Sequence, residues 1–129
     1  MSHKWLAFYG LLIITVSFLH VVYRGRAYRT TQNSINLMHH RDATTMALFY
    51  IPLGIVLIEM SVQLRPPESV ASALLWVHLP LAVAFLVLLL VLRFWLTGLH
   101  SRHHGRLGRL CAALFAGTLG TGSVLIWQM

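Results

Sequence analysis

Eight histidines are the residues of this 129-residue chain whose chemistry could define a site. Six of them, His20, His39, His40, His100, His103 and His104, stand at the ends of long apolar runs, most beside arginines. Neutral imidazole is a good ligand for haem iron, copper and zinc, and a helical bundle can bring ligands from different helices to one depth. His20, His39, His100 and His103 are therefore candidate metal ligands. If the fourth helix begins early, His100 and His104 lie on one face. The competing account is interfacial solvation, since histidines beside arginines at a headgroup boundary need hold no metal.

His78 differs because it falls inside an apolar run, about 12 Å in if a helix starts near Val70. An intramembrane imidazole faces the bundle or a functional pocket. Glu59 is expected in the same outer half. A carboxylate in hydrocarbon costs several kcal/mol unless paired or protonated. Pairing of Glu59 with His78 would relieve that cost as a proton relay, a ligand anchor or a structural contact; snorkelling to the interface is the alternative. Cys111 is the only cysteine, so no intrachain disulfide or CxxC site exists, and it reads as a small packing residue.

These side chains must be positioned by membrane-spanning helices. The chain is 57% hydrophobic and only 10% charged, against about 25% charged residues in soluble domains. A hydrocarbon core about 30 Å thick needs roughly 20 apolar residues in helix. Four stretches qualify, at about 5–23, 42–64, 70–96 and 110–127, so the expectation is a single all-α membrane domain, a four-transmembrane-helix bundle. The first stretch exceeds a signal-peptide core and no A-x-A-like site follows, so it is expected to be retained.

The net charge of +7 flanks the apolar runs and builds no soluble basic face, which argues against nucleic acid. Arg24, Arg26, Arg29 and Arg41 lie in the first connection and Arg102, Arg106 and Arg109 in the third, against Lys4 and Arg65 opposite. Retention of positive charge in the cytoplasm then puts both termini on the non-cytoplasmic side, which suits a bacterial inner membrane. Arg93 lies near the cytoplasmic end of the third span, where it could snorkel. Trp5, Trp76, Trp95 and Trp127 near span ends read as an interfacial belt.

Ala112, Ala116 and Gly120 form a small-residue row on the fourth helix, and Ala113 with Gly117 a second, so close approach to a neighbour is expected there. Pro52 and Pro80 lie inside helices, where kinks are expected. No nucleophile, base and orienting acid occur together at useful spacing, and no enzymatic activity is expected. The first span holds no acidic residue of the kind small multidrug transporters rely on.

From LMHHRDATTMALFYIPLGIVLIE onward, about three quarters of the chain resembles the DUF420 family of small four-helix membrane proteins, which includes CtaM-like cytochrome oxidase assembly factors. The similar elements are His40 and Arg41 opening helix two with Met46 downstream, and His78 before LPLAV. A third is the H-x-R-L-x-R opening of helix four at His104, Arg106, Leu107 and Arg109, followed by a Thr-Gly-rich span ending in VLIWQM. The RPPES connection is shorter than the family's, and His39 and His103 stand outside its pattern. The resemblance implies a factor that handles haem or copper for a terminal oxidase, with His40, His78 and His104 as its residues. Two other functions fit the residues. In a cytochrome b-like carrier, Arg93, Arg106 or Arg109 would pair with haem propionates. A non-catalytic subunit would pack on a larger electron-transport complex through the small-residue face.

Overall fold

The computed structural model describes residues 3–64, 71–94 and 102–128. They form four α-helices, α1 (His3–Thr31), α2 (Ser34–Leu64), α3 (Ala71–Phe94) and α4 (Arg102–Gln128). The described residues are all helical but for the turn at Gln32 and Asn33. All four helices are long and apolar enough to cross a membrane, with mean hydropathy between 1.7 and 2.7 over their spans. Large apolar side chains such as Phe49, Trp76 and Trp127 are 74%, 78% and 80% exposed, which suits lipid rather than water as the surrounding solvent.

The helices are longer than the apolar runs that announced them. At 1.5 Å per residue, the 31 residues of α2 reach about 46 Å, well beyond a hydrocarbon core of about 30 Å. The extra turns take up residues that were expected to form loops. Arg24, Arg26 and Arg29 are on α1, His39, His40 and Arg41 on α2, and Arg106 and Arg109 on α4. Backbone hydrogen bonding continues through these basic turns because nothing in them breaks a helix, whereas hydropathy records only where lipid ends. The helices also run through Pro52 and Pro80 without a break in assignment.

The chain divides into two compact units, Met1–Arg65 and Pro66–Met129. Each is an antiparallel helical hairpin, α1 on α2 and α3 on α4. In the first, Gln32 takes a left-handed conformation with φ 50°, and its N–H donates to the Tyr28 carbonyl at 2.7 Å. Asn33 then caps α2, its Oδ1 accepting the Asn36 N–H at 2.8 Å. Asn33→Ala should lower the hairpin's stability by about 1 kcal/mol. Thermal unfolding in detergent reads this, and an unchanged midpoint would exclude the cap.

The α1–α2 hairpin closes on small residues. Ala7, Gly10, Ala43, Ala47, Gly54 and Ser61 are buried along its seam. Gly10 and Gly54 face each other so closely that a Cβ built on Gly54 would lie 2.6 Å from the Gly10 carbonyl oxygen. At the far end the Ser61 hydroxyl donates to the His3 carbonyl. The α3–α4 hairpin instead packs larger side chains. Phe85 and Phe115 tilt against each other with ring centroids 5.4 Å apart, and the hairpin also buries Leu89, Cys111, Leu125 and Ile126.

The small-residue expectation is corrected in detail. The Ala112, Ala116, Gly120 row is not the face α4 turns to α3, for Ala116 and Gly120 are exposed and nothing lies within 4 Å of a Cβ on Gly120. On α4, Gly117 and Gly122 meet α3, against Leu81 and His78. In the other hairpin, Gly10 and Gly54 each place a backbone carbonyl within 3 Å of where the other's Cβ would stand.

Candidate functional site

His78 lies near the start of α3, on the side facing α4. Its imidazole rests on Gly122, where a Cβ would come 3.1 Å from Cε1 and 3.7 Å from Nδ1. Any larger residue there would push the ring off the helix. One residue earlier, Thr121 Oγ1 lies 2.8 Å from His78 Nδ1.

The Thr121 hydroxyl also reaches two carbonyls of its own helix, Gly117 at 2.8 Å and Thr118 at 3.2 Å. Donation to a carbonyl leaves Thr121 to accept from a His78 protonated at Nδ1, whereas donation to His78 leaves the ring proton on Nε2. In the first tautomer Nε2 offers a lone pair, and an oxygen on the other ring nitrogen is what orients a ligating histidine. His78 is half-buried. The sequence singled out His78 but not Thr121 or Gly122; their one signal was the unusual density of Thr and Gly in LGTGS.

A second histidine is seated the same way. The His40 ring lies over Gly25 of α1, where a Cβ would be 2.9 Å from Cε1 and 3.1 Å from Nδ1. On the same hairpin, His20 is exposed and its Nε2 accepts from Arg24 Nε at 3.4 Å. His39 is half-buried. On α4, His103 is exposed, His104 half-buried, and Arg106 and Arg109 exposed. His100 lies outside the described residues.

His78 and His104 share the α3–α4 hairpin but not a site. The ring of His78 meets Thr121, and His104 is 17 positions earlier on the same helix, about 25 Å away at 1.5 Å per residue. Arg109, 12 positions before Thr121, is about 18 Å away. Among the described residues no three His, Cys, Asp or Glu side chains converge as a metal site. Glu59 Oε1 accepts from Gln63 Nε2 at 3.4 Å, while the His78 ring meets the Thr121 hydroxyl and the Thr118 backbone. Arg93 is half-buried, with its guanidinium carbon 5.1 Å from the centre of the adjacent Phe94 ring.

Two features escaped the reading of the histidines. The Nε2 of His3 is buried without a hydrogen-bond partner among the described residues. A groove on the α1–α2 hairpin, about 420 Å³ in volume, has His20 among its lining residues. No family model, curated protein or solved structure matches the chain.

Proposed function

We propose that this integral membrane protein supports the biogenesis of a haem-copper oxidase or related respiratory complex, handling haem or copper through its histidines. The observation that carries the reading is the His78 imidazole, its Nδ1 2.8 Å from the Thr121 hydroxyl and its ring seated on Gly122; in the tautomer protonated at Nδ1, Nε2 is the atom that would meet a metal. The resemblance to DUF420 proteins points the same way.

The residues fit a group that asks one imidazole of this site, which His78 would supply to a haem iron or a copper ion. They do not fit a closed three-ligand centre built from the described residues alone. Haem or copper would supply the redox-active metal; the protein's part is to hold the imidazole in one tautomer and one orientation. His40, seated on Gly25, and His104 are the further ligands at other positions. Arg106 and Arg109, exposed on the opening turns of α4, suit propionates or lipid phosphates. The charge distribution favours a bacterial inner membrane with both termini outside. The bare Ala116 and Gly120 face favours a second reading, an accessory subunit docked on a larger membrane complex.

Purification in mild detergent, with a visible spectrum and metal analysis, tests the proposal. Haem or copper should accompany the wild-type chain, and Thr121→Val should weaken its retention about tenfold or more, the usual effect of losing the oxygen that orients a ligating histidine. Haem and copper both absent from wild-type protein made alongside its oxidase would overturn it. A tightly retained partner complex in that preparation would favour the accessory subunit.

A further inference from the structure

The groove on the α1–α2 hairpin has a construction of its own. Its floor is made by Ala43 and Ala47, 2% and 1% exposed, whose small side chains leave a trough between the helices. Its rims are the exposed Leu12 and Val16 of α1 and Met46 and Tyr50 of α2. One end is apolar. The other is closed by His20, and one turn further Arg24 donates its Nε–H to the His20 Nε2 at 3.4 Å.

Arg24 is held on two sides. Besides the bond to His20, its guanidinium carbon stands 5.7 Å from the centre of the Tyr23 ring. With Nε committed to His20, the two terminal amino groups still present a fork of N–H donors, the geometry that matches phosphate oxygens in pairs. The surrounding charge has the same sign, with Arg26, Arg29 and Arg41 on the neighbouring turns against the single acid Asp42.

The dimensions define the occupant. From Leu12 to His20 the groove follows eight residues of α1, about 12 Å, and Arg24 lies about 6 Å beyond. One leaflet of hydrocarbon is about 15 Å deep, half of the core. An acyl chain running the length of the groove therefore brings its headgroup to the guanidinium.

We propose that this groove is a binding site for an anionic phospholipid, with one acyl chain over Ala43 and Ala47 and the phosphate region on Arg24. The site is independent of haem or copper and is assayed in protein free of both. Tyr23 and His20 are positioning residues for Arg24.

The full chain, purified in a neutral detergent, is titrated with phosphatidylglycerol, with phosphatidylcholine of the same acyl composition, and with inorganic phosphate. Native mass spectrometry and thermal unfolding give the readouts. Phosphatidylglycerol should be retained at least tenfold better than phosphatidylcholine, and inorganic phosphate should not stabilise the protein. Arg24→Gln should abolish the preference between the two lipids, and Arg24→Lys, which keeps the charge without the fork, should reduce it. Ser17→Leu, which fills the groove from α1, should weaken both lipids. Equal retention of the two lipids by wild type overturns the proposal, as does a preference that survives Arg24→Gln. A haem absorption band lost on His20→Ala would assign the groove to another ligand and overturn it equally.

Discussion

Gly10→Ala should destabilise the protein by about 3 kcal/mol, the upper part of the range for overpacked interiors. A Cβ at Gly10 would run into the Gly54 carbonyl oxygen and stand 2.9 Å from Ile58 Cγ1 and 3.2 Å from Leu57 Cβ. The first obstacle is backbone, which cannot rotate away as a side chain can. The reciprocal substitution, Gly54→Ala, meets the Gly10 carbonyl and Ile14 Cγ1, both at 2.6 Å. Either variant must push α1 and α2 apart where two glycines bring their backbones together, and so loosen the packing of buried Ala7, Ile51 and Ser61 along the same seam. In lipid this loss is not recovered by burying apolar surface elsewhere, because helix association depends on close packing itself. Gly120→Ala is the control. Nothing lies within 4 Å of its Cβ, so the better helix propensity of alanine should leave stability unchanged or raised by up to about 1 kcal/mol. Unfolding in detergent, followed by circular dichroism, ranks the three variants. A Gly10→Ala protein as stable as wild type would mean that α1 and α2 do not meet at these glycines.

The larger functional effect is expected at His78. His78→Ala should reduce haem or copper retention to background and oxidase maturation at least tenfold, while costing the α3–α4 hairpin only about 1 kcal/mol for one lost hydrogen bond. The separation of those two numbers identifies a ligand rather than a packing residue. His78→Gln sharpens it, because the amide N–H can still donate to Thr121 but offers no imidazole lone pair. The glutamine variant should fold and still fail in maturation. Rescue of maturation by glutamine would make the Thr121 contact structural. Normal maturation in His78→Ala, His40→Ala and His104→Ala alike would eliminate the assembly role, leaving the lipid site on the other hairpin standing.

The histidines were visible in the sequence as residue types, but their relations to one another were not. The DUF420 resemblance grouped His78 with His104, although the charge pattern already set His104 at the cytoplasmic end of its span and His78 in the outer half of another; the antiparallel course of α3 and α4 keeps them apart and pairs His78 with Thr121. His20 looked like one more interfacial imidazole until Arg24 and the groove placed it beside a phosphate-sized fork. Gly25 and Gly122 carried no sequence pattern as seats for imidazole rings, since each acts across a gap that only folding closes.

The number of helices and their membrane character came from the sequence alone. Long apolar runs can satisfy their backbone hydrogen bonds in lipid only as helices, and that constraint is local to each run. Helix ends followed less well, because a helix continues through arginine and histidine wherever no residue breaks it, whereas hydropathy changes sign at once. The tertiary structure decided which glycines let backbones touch, which hydroxyl meets the His78 ring, and where a trough opens between two helices. Each depends on side chains meeting across a hairpin at ångström precision, and nothing in the order of residues along one strand of chain encodes that distance by itself.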